Sequence, residues 1–353
     1  MLFEEGSIFQ SSSDTELLLH LLSRSRAPSF YDALMETLQL VQGALSLVLL
    51  HDDELIAVRD AYGFRPLYVG FKDDTTVVAS ETCALDILQV TDYRSVRPGE
   101  VIVINRNGLH VDFLPATPHY RQCIFELIYF ARPDSEVFDV GVHQARKRMG
   151  AALARADAAD GELGDIVVPV PDSGTSAALG YAEASGLPFD FGLTRNHYAG
   201  RSFIMPTTSE RELAVRMKLH PVRDAIQGRR VMLVDDSLVR GTTAKILVNL
   251  MKKSGASEVH LRLSSPEIRW PCFFGIDIPT RHELISNHLS PSEIAQSIGA
   301  DSVRFLSLDL LKESVDDADN YCTSCFSGRY PVPVPLTEEE LAASSRAAAE
   351  EVR

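Results

Sequence analysis

The sequence predicts an α/β fold with a parallel sheet flanked by helices, preceded by a region of short strands, and three observations predict it. Val231–Val234 is an unbroken apolar run that stops abruptly at Asp235 and Asp236. A second run of the same kind, starting at Ile166, stops at the turn Pro171-Asp172-Ser173-Gly174. From Met1 to about Leu114 the pattern changes to short strands and turns with one helix. Apolar runs without alternation mark strands covered on both faces, which is how parallel sheets are buried.

Composition sets the outer limits. A chain of 353 residues is long enough for two domains with a sizeable core. A net charge of −15 argues against broad binding to nucleic acid or to anionic membranes, so any affinity for phosphate must be made locally. No apolar run approaches the roughly 20 residues that a membrane span needs, and no basic-then-apolar signal opens the chain. A cytoplasmic location is the expectation. Five cysteines over this length do not form a disulfide-dense pattern, so metal-binding or core roles come first.

Taken in order, residues 1–114 read as the first domain. Gly6–Gln10 is read as a short strand, and Asp14 opens a helix over Leu17–Leu22. Asp14 has the chemistry of a helix-capping acid. Gly43–Leu50 and Glu54–Val58 read as strands joined by His51–Asp53, and Pro66–Gly70 and Thr76–Ser80 read as two more. Cys83 lies among apolar neighbours as a buried thiol. A polar connector, Pro115–Arg121, leads to the second domain, 115–330. There a basic helix runs from Val142 to about Ala156, its charges read as a solvated face. Residues 331–353 begin Pro-Val-Pro-Val-Pro and continue as an acidic, alanine-rich tail.

The chemistry concentrates at Arg230–Thr243, R-V-M-L-V-D-D-S-L-V-R-G-T-T. The two acids sit where the strand ends. Ser237 to Thr243 follows as a small-residue loop, in which Gly241 permits close backbone approach. Thr242 and Thr243 offer hydroxyls and main-chain N–H groups at the start of a helix, Ala244–Lys253, and such a start attracts phosphate. Glu258–Leu263 reads as the next strand. Open α/β sheets bind ligands at the carboxyl ends of their strands, so acids and cradle share one ligand-facing edge. The string is neither a Walker loop nor a G-x-G-x-x-G turn.

Three further stretches carry candidate chemistry. Asp172 and Ser173 supply oxygens in the turn that closes the second strand, a turn that a capped helix alone would also explain. Leu193–Ile204 is polar, with Arg195 and Arg201 in it. Cys123, Cys272 and the pair Cys322-x-x-Cys325 form a set that could be buried thiols, a zinc site or a cluster site.

V-M-L-V-D-D-S-L-V-R-G-T-T resembles the phosphoribosyl pyrophosphate (PRPP) motif of type I phosphoribosyltransferases, and in particular the amidophosphoribosyltransferase family. G-S-I-F-Q-S-S-S-D-T-E resembles a stretch of that family's glutaminase domain, and Cys123–Ser135 resembles its junction. The resemblance implies a type I phosphoribosyltransferase fold preceded by part of an αββα glutaminase domain of the N-terminal-nucleophile class. It implies that Asp235 and Asp236 hold the ribose hydroxyls of Mg2+-loaded PRPP with Ser173 near the metal. Ser237, Arg240, Gly241, Thr242 and Thr243 would wrap the 5′-phosphate. Arg195, Tyr198 and Arg201 would belong to a lid over the pyrophosphate, and Asp14 would hold the α-amino group of glutamine. Cys123, Cys272, Cys322 and Cys325 match the ligands of a 4Fe-4S cluster.

The chain departs from the family at its start. The family's glutaminase uses a processed N-terminal cysteine, whereas this chain reads Met1-Leu2-Phe3, so no catalytic residue is assigned in the glutaminase part. The implied activity is formation of 5-phosphoribosylamine and pyrophosphate from PRPP and ammonia, glutamine-derived in the full-length family, at the first committed step of purine synthesis. Purine nucleotides are the implied inhibitors and a homo-oligomer the implied assembly. The competing readings are a base-salvaging phosphoribosyltransferase and a non-catalytic chain that binds PRPP or purine nucleotides.

Overall fold

The structure, a computed structural model, describes residues 6–11, 13–115, 119–161, 164–196, 217–278 and 280–335. The chain forms two compact units, Met1–Ser80 with Asp92–Tyr120, and Glu81–Thr91 with Arg121–Arg353.

In the first unit a four-stranded antiparallel sheet has the order Ser46–His51, Glu54–Arg59, Glu100–Asn105, Gly108–Phe113. One face, with Ile56, Val58, Val101 and Val103, packs on the helix Phe30–Leu40 through Leu34 and Leu38. The opposite face, with Ala57 and Ile102, packs on Val69 of a second antiparallel sheet built from Tyr68–Lys72, Thr75–Ala79 and Asp92–Ser95. Period-two alternation thus feeds two layers at once.

Two expectations are corrected here. Gly6–Gln10 is not a strand: the N–H groups of Gln10 and Ser11 donate to the Glu16 carboxylate at 2.7 and 2.8 Å, which folds the segment onto the helix Asp14–Arg24. A second helix, Phe30–Leu40, stands where only strands and turns are expected, started by Ser29 accepting from Asp32 N–H.

The second unit carries a parallel four-stranded sheet in the order Ile166–Pro169, Arg230–Asp235, Glu258–Leu263, Ser302–Phe305. Successive residues of the central strand serve opposite cores. Met232 and Val234 face Met149, Leu153 and Tyr181 of the helices Val142–Asp160 and Thr175–Ser185. Val231 and Leu233 face Leu247, Met251 and Ile294 of the helices Thr242–Lys253 and Pro291–Ile298. All four strand residues are buried, as continuous apolarity predicts.

Two glycines set how closely the first pair of helices can pack. A Cβ on Gly150 would lie 1.9 Å from the Ala177 carbonyl oxygen, and one on Gly180 would lie 2.0 Å from that of Lys147. Only hydrogen at both positions permits this approach.

A buried ionic cluster ties helix to sheet. Asp157, with no exposed surface, accepts from Arg262 Nε and from the Tyr181 hydroxyl, each at 2.5 Å, and Arg304 Nε lies 2.7 Å from its other oxygen. Removing one member of such a set strands a buried charge, which costs about 3–5 kcal/mol. Asp157→Ala should therefore lower the stability of the chain by about that amount. Urea unfolding followed by circular dichroism tests it, and an unchanged midpoint would refute the role given to Asp157.

Candidate functional site

The carboxyl edge of the parallel sheet gathers the chemistry. Backbone bonds continue past each strand end and fix the loops in register. Val170 N donates to Val234 O at 2.8 Å, Ser264 N donates to Asp235 O at 3.0 Å, and Leu306 N donates to Leu263 O at 2.9 Å. The turn after Ile166–Pro169 is pressed directly onto the neighbouring strand. A Cβ on Gly174 would meet Val234 O at 2.4 Å and Asp235 Cα at 3.2 Å, so glycine is what lets the loop reach the acids.

That approach joins Ser173 to the acidic pair. Ser237 hydrogen-bonds the Asp236 carboxylate, Ser173 lies near enough to favour its ionised form, and Asp236 N donates to Asp235 Oδ1 at 2.9 Å. Asp236 is 7% exposed. Burial, then the adjacent Asp236 charge, pushes the Asp235 carboxyl well above the ordinary range. Burial also raises Asp236, against the opposing effect of the two serines and of Arg146.

Arg146 is the residue that sequence reading misplaced. It was expected on the solvated face of a basic helix, yet it is 3% exposed. Its Nε donates to Leu127 O at 2.9 Å and its Nη2 donates to Ala131 O at 2.7 Å, both carbonyls of a π-helical turn, Glu126–Phe130, and its end. A π-turn leaves carbonyls turned off the helix ladder, and the guanidinium fork collects them. Its charge also acts on Asp236. Tyr129, on that π-turn, has its hydroxyl pushed up by burial and then by Asp236 and Asp235. The signal that could have found Arg146 is long-range in the chain, since its partners lie some 15–20 residues earlier.

The loop after the acids opens the helix Thr242–Lys253 through Gly241, which adopts φ +77°. Thr242 and Thr243 are exposed at its first turn, where N–H groups lack intrahelical partners. Arg240 reaches sideways to Glu283, its Nε and Nη2 lying 2.9 and 2.6 Å from one carboxylate oxygen. Arg195 lies on a short strand, Leu193–Arg195, paired antiparallel with Leu219–Pro221, and is ion-paired to Asp172 of the Ser173 loop. Thus Ser173, Asp235, Asp236 and Ser237 meet directly, and Asp172 of the same loop carries Arg195. Tyr198 and Arg201 lie outside the described residues, as does the tail from residue 336. Asp14 is exposed at the first position of its helix in the other unit.

The four cysteines of the candidate set come together separately. Cys123 and Cys322 are register partners in a two-stranded parallel pair, and Cys325 follows on the helix Ser324–Ser327. Burial, then the proximity of Cys123, Cys322 and Cys272, pushes the Cys325 thiol well up. Phe274 N donates to Cys272 Sγ at 3.3 Å. Cys83 is buried in a different place, on the helix Thr82–Ile87. Among the described residues no three His, Cys, Asp or Glu side chains are arranged to hold a single metal ion, and no helix is long and apolar enough to cross a membrane.

With the raised carboxyl, the sign of a pH effect follows. A carboxylate raised by burial and a like charge penalises the folded state once pH exceeds the ordinary carboxyl range. Asp235→Asn should therefore stabilise the chain in EDTA at pH 7, by ~2–4 °C in Tm for each kcal/mol relieved. The gain should shrink as pH falls toward 4, where the unfolded-state carboxyl also protonates. A melting temperature that drops at pH 7 would contradict the assignment.

Comparison with known proteins gives consistent neighbours. A glutamine amidotransferase domain family matches residues 1–86. The chloroplastic amidophosphoribosyltransferase of Glycine max is 49% identical over 329 residues, covering 93% of this chain and 57% of that protein. The amidophosphoribosyltransferase of Bacillus subtilis (strain 168) is 45% identical over 335 residues, covering 94% of this chain and 70% of that protein. The solved structure of the B. subtilis glutamine PRPP amidotransferase, complexed with ADP and GMP, superposes with a TM-score of 0.86 at 43% identity, covering 96% of this chain and 76% of that one. The chain spans less than three fifths of the length of the soybean relative.

Proposed function

The chain belongs to the amidophosphoribosyltransferase family, and from that membership we propose that it transfers ammonia to C1 of PRPP, releasing pyrophosphate and forming 5-phosphoribosylamine. One observation carries the reading: Asp235, Asp236 and Ser237 are hydrogen-bonded together at the strand end, the Ser173 loop is pressed onto them through Gly174, and a glycine-opened helix start continues along the same sheet edge. Such an edge suits a ligand that carries ribose hydroxyls, a cation and a phosphate together.

The residues present fit Mg2+. The donors are hard carboxylate and hydroxyl oxygens, and two adjacent acids with raised carboxyls gain from a cation beside them. Asp235 and Asp236 would hold it with the ribose hydroxyls, and Ser173 would orient the Asp236 carboxylate. When bound, Mg2+ supplies charge neutralisation for the diphosphate. The N–H groups and hydroxyls of Ser237–Thr243 would fix the 5′-phosphate, so that C1 faces the same side as the arginines. Arg195, with Tyr198 and Arg201, would stabilise negative charge as the C1–oxygen bond opens, a preorganised field of donors. No covalent protein nucleophile is required. Ammonia enters with its lone pair and loses a proton after attack.

Cys83 is buried beside Glu81, its Sγ 4.0 Å from Oε2. Asp14 is the residue proposed to hold the α-amino group of glutamine. The solved relative carries ADP and GMP, which makes purine nucleotides the proposed inhibitors here.

The sulfur set fits a 4Fe-4S cluster, since four thiols converge and soft thiolates suit iron and sulfide. Cys123, Cys272, Cys322 and Cys325 would hold it, and it would supply a covalent tie between the C-terminal segment and the strand at Gln122–Cys123.

Two measurements check these readings. With PRPP, Mg2+ and an ammonium salt, the chain should release pyrophosphate, and Asp236→Asn should lower the rate by ~100-fold or more. PRPP binding without pyrophosphate release would instead make the chain a binder. Separately, protein purified without oxygen should show the broad visible absorption of an iron–sulfur cluster, and Cys325→Ser should remove it. A colourless protein carrying stoichiometric zinc would overturn the cluster assignment.

A further inference from the structure

The phosphate loop does not stand alone. Segment Thr280–Asn287 braces it at three consecutive residues. Ile285 N donates to Val239 O at 3.0 Å, Glu283 holds Arg240 through Nε and Nη2, and the Ile285 side chain closes on Gly241, where an added Cβ would sit 2.8 Å from Cδ1. The brace is itself anchored. Asn287 Nδ2 donates to Arg269 O and Arg281 O, each at 2.9 Å, Arg281 lies over the Trp270 ring at 4.2 Å, and the Glu283 carboxylate takes the Thr280 hydroxyl at 3.2 Å.

We propose that Glu283 is a positioning residue for 5′-phosphate binding: it fixes the guanidinium of Arg240 beside the Gly241–Thr243 helix start, so that the cation is in place before the ligand arrives. The inference rests on the reading of Ser237–Thr243 as a 5′-phosphate cradle. Both side chains are exposed at the surface, so the pair adds little to stability and its consequence is geometric. Arg240 is a long side chain on a loop. Without a partner it samples many rotamers, and freezing one of them on binding weakens the ligand. A carboxylate held by Thr280 removes much of that loss beforehand. Glu283 engages Nε and Nη2 of Arg240, which leaves Nη1 to face a phosphate oxygen.

The experiment is calorimetric titration of the whole chain with ribose 5-phosphate, which carries the 5′-phosphate and no pyrophosphate. Glu283→Ala should weaken binding roughly fivefold to tenfold, the scale of part of one charge-assisted hydrogen bond. Glu283→Gln, which still accepts a hydrogen bond from the fork, should recover part of the loss. In an Arg240→Ala background the Glu283→Ala change should have no further effect, because Glu283 acts only through Arg240. Ribose 5-phosphate bound equally by Glu283→Ala and the unaltered chain overturns the proposal. So does an equal loss in the presence and absence of Arg240, which would mark a general structural effect. Failure of the unaltered chain to bind ribose 5-phosphate removes the cradle reading itself, an outcome distinct from both.

Discussion

Two carboxylates on consecutive residues at the mouth of a strand buried on both faces are the constraint from which the second unit follows. Val231–Val234 cannot show polar groups sideways, because each residue serves one core or the other. Polarity can appear only where the strand ends, and there it appears twice in succession. Buried like charges are costly unless hydrogen bonds and counter-charges surround them. Ser237 and the Asp236 N–H provide the first, and Arg146 provides the second. The surrounding fold brings them in. Gly174 lets the Ser173 loop close on Asp235, and the π-turn at Glu126–Phe130 holds the Arg146 fork toward the pair.

What the sequence made legible was local. The central strand, the acidic end, the glycine and the helix start are contiguous in the chain, and each carries its own physical signal. The parallel sheet followed from continuous apolarity, and Glu258–Leu263 came out with the same ends in sequence and structure. What escaped was either long-range or masked by a plausible surface. Arg146 looked like one of several cations on an amphipathic helix, and only the carbonyls of an earlier turn show why it points inward. Arg262 is wholly buried against Asp157, a partner 105 residues earlier in the chain. In the first unit, the helix Phe30–Leu40 had a readable Ser29 cap, but the many short strands around it set the expectation.

The C-terminal cysteines illustrate how a segment is held by backbone before any metal is considered. The Cys325 carbonyl accepts from Arg269 N and Trp270 N at 3.0 and 3.1 Å, and Gly328 lies so close to Trp270 that an added Cβ would be 2.5 Å from the indole. The Tyr330 hydroxyl donates to Pro271 O at 2.7 Å. The segment bearing Cys322 and Cys325 is therefore fixed to the segment bearing Cys272 by main-chain bonds and ring contact. These contacts set Cys322 and Cys325 on the same segment pairing that carries Cys272.

For an acidic chain, the proposed binding of a polyanion poses an electrostatic problem at short range. A net charge of −15 repels phosphate at a distance, although screening confines that repulsion to about 8–10 Å at ordinary salt. Two arginines proposed for the site are each joined to an acid, Arg195 to Asp172 and Arg240 to Glu283. Pairing holds the cations in place without adding net positive charge that would attract anions indiscriminately. Exposed pairs of this kind add little to stability, so their role is to hold each guanidinium in place. Selectivity would then rest with the fixed N–H groups of the helix start and the acidic pair. The proposed ligand, with a phosphate and a cation-bridged hydroxyl edge, would satisfy the two together.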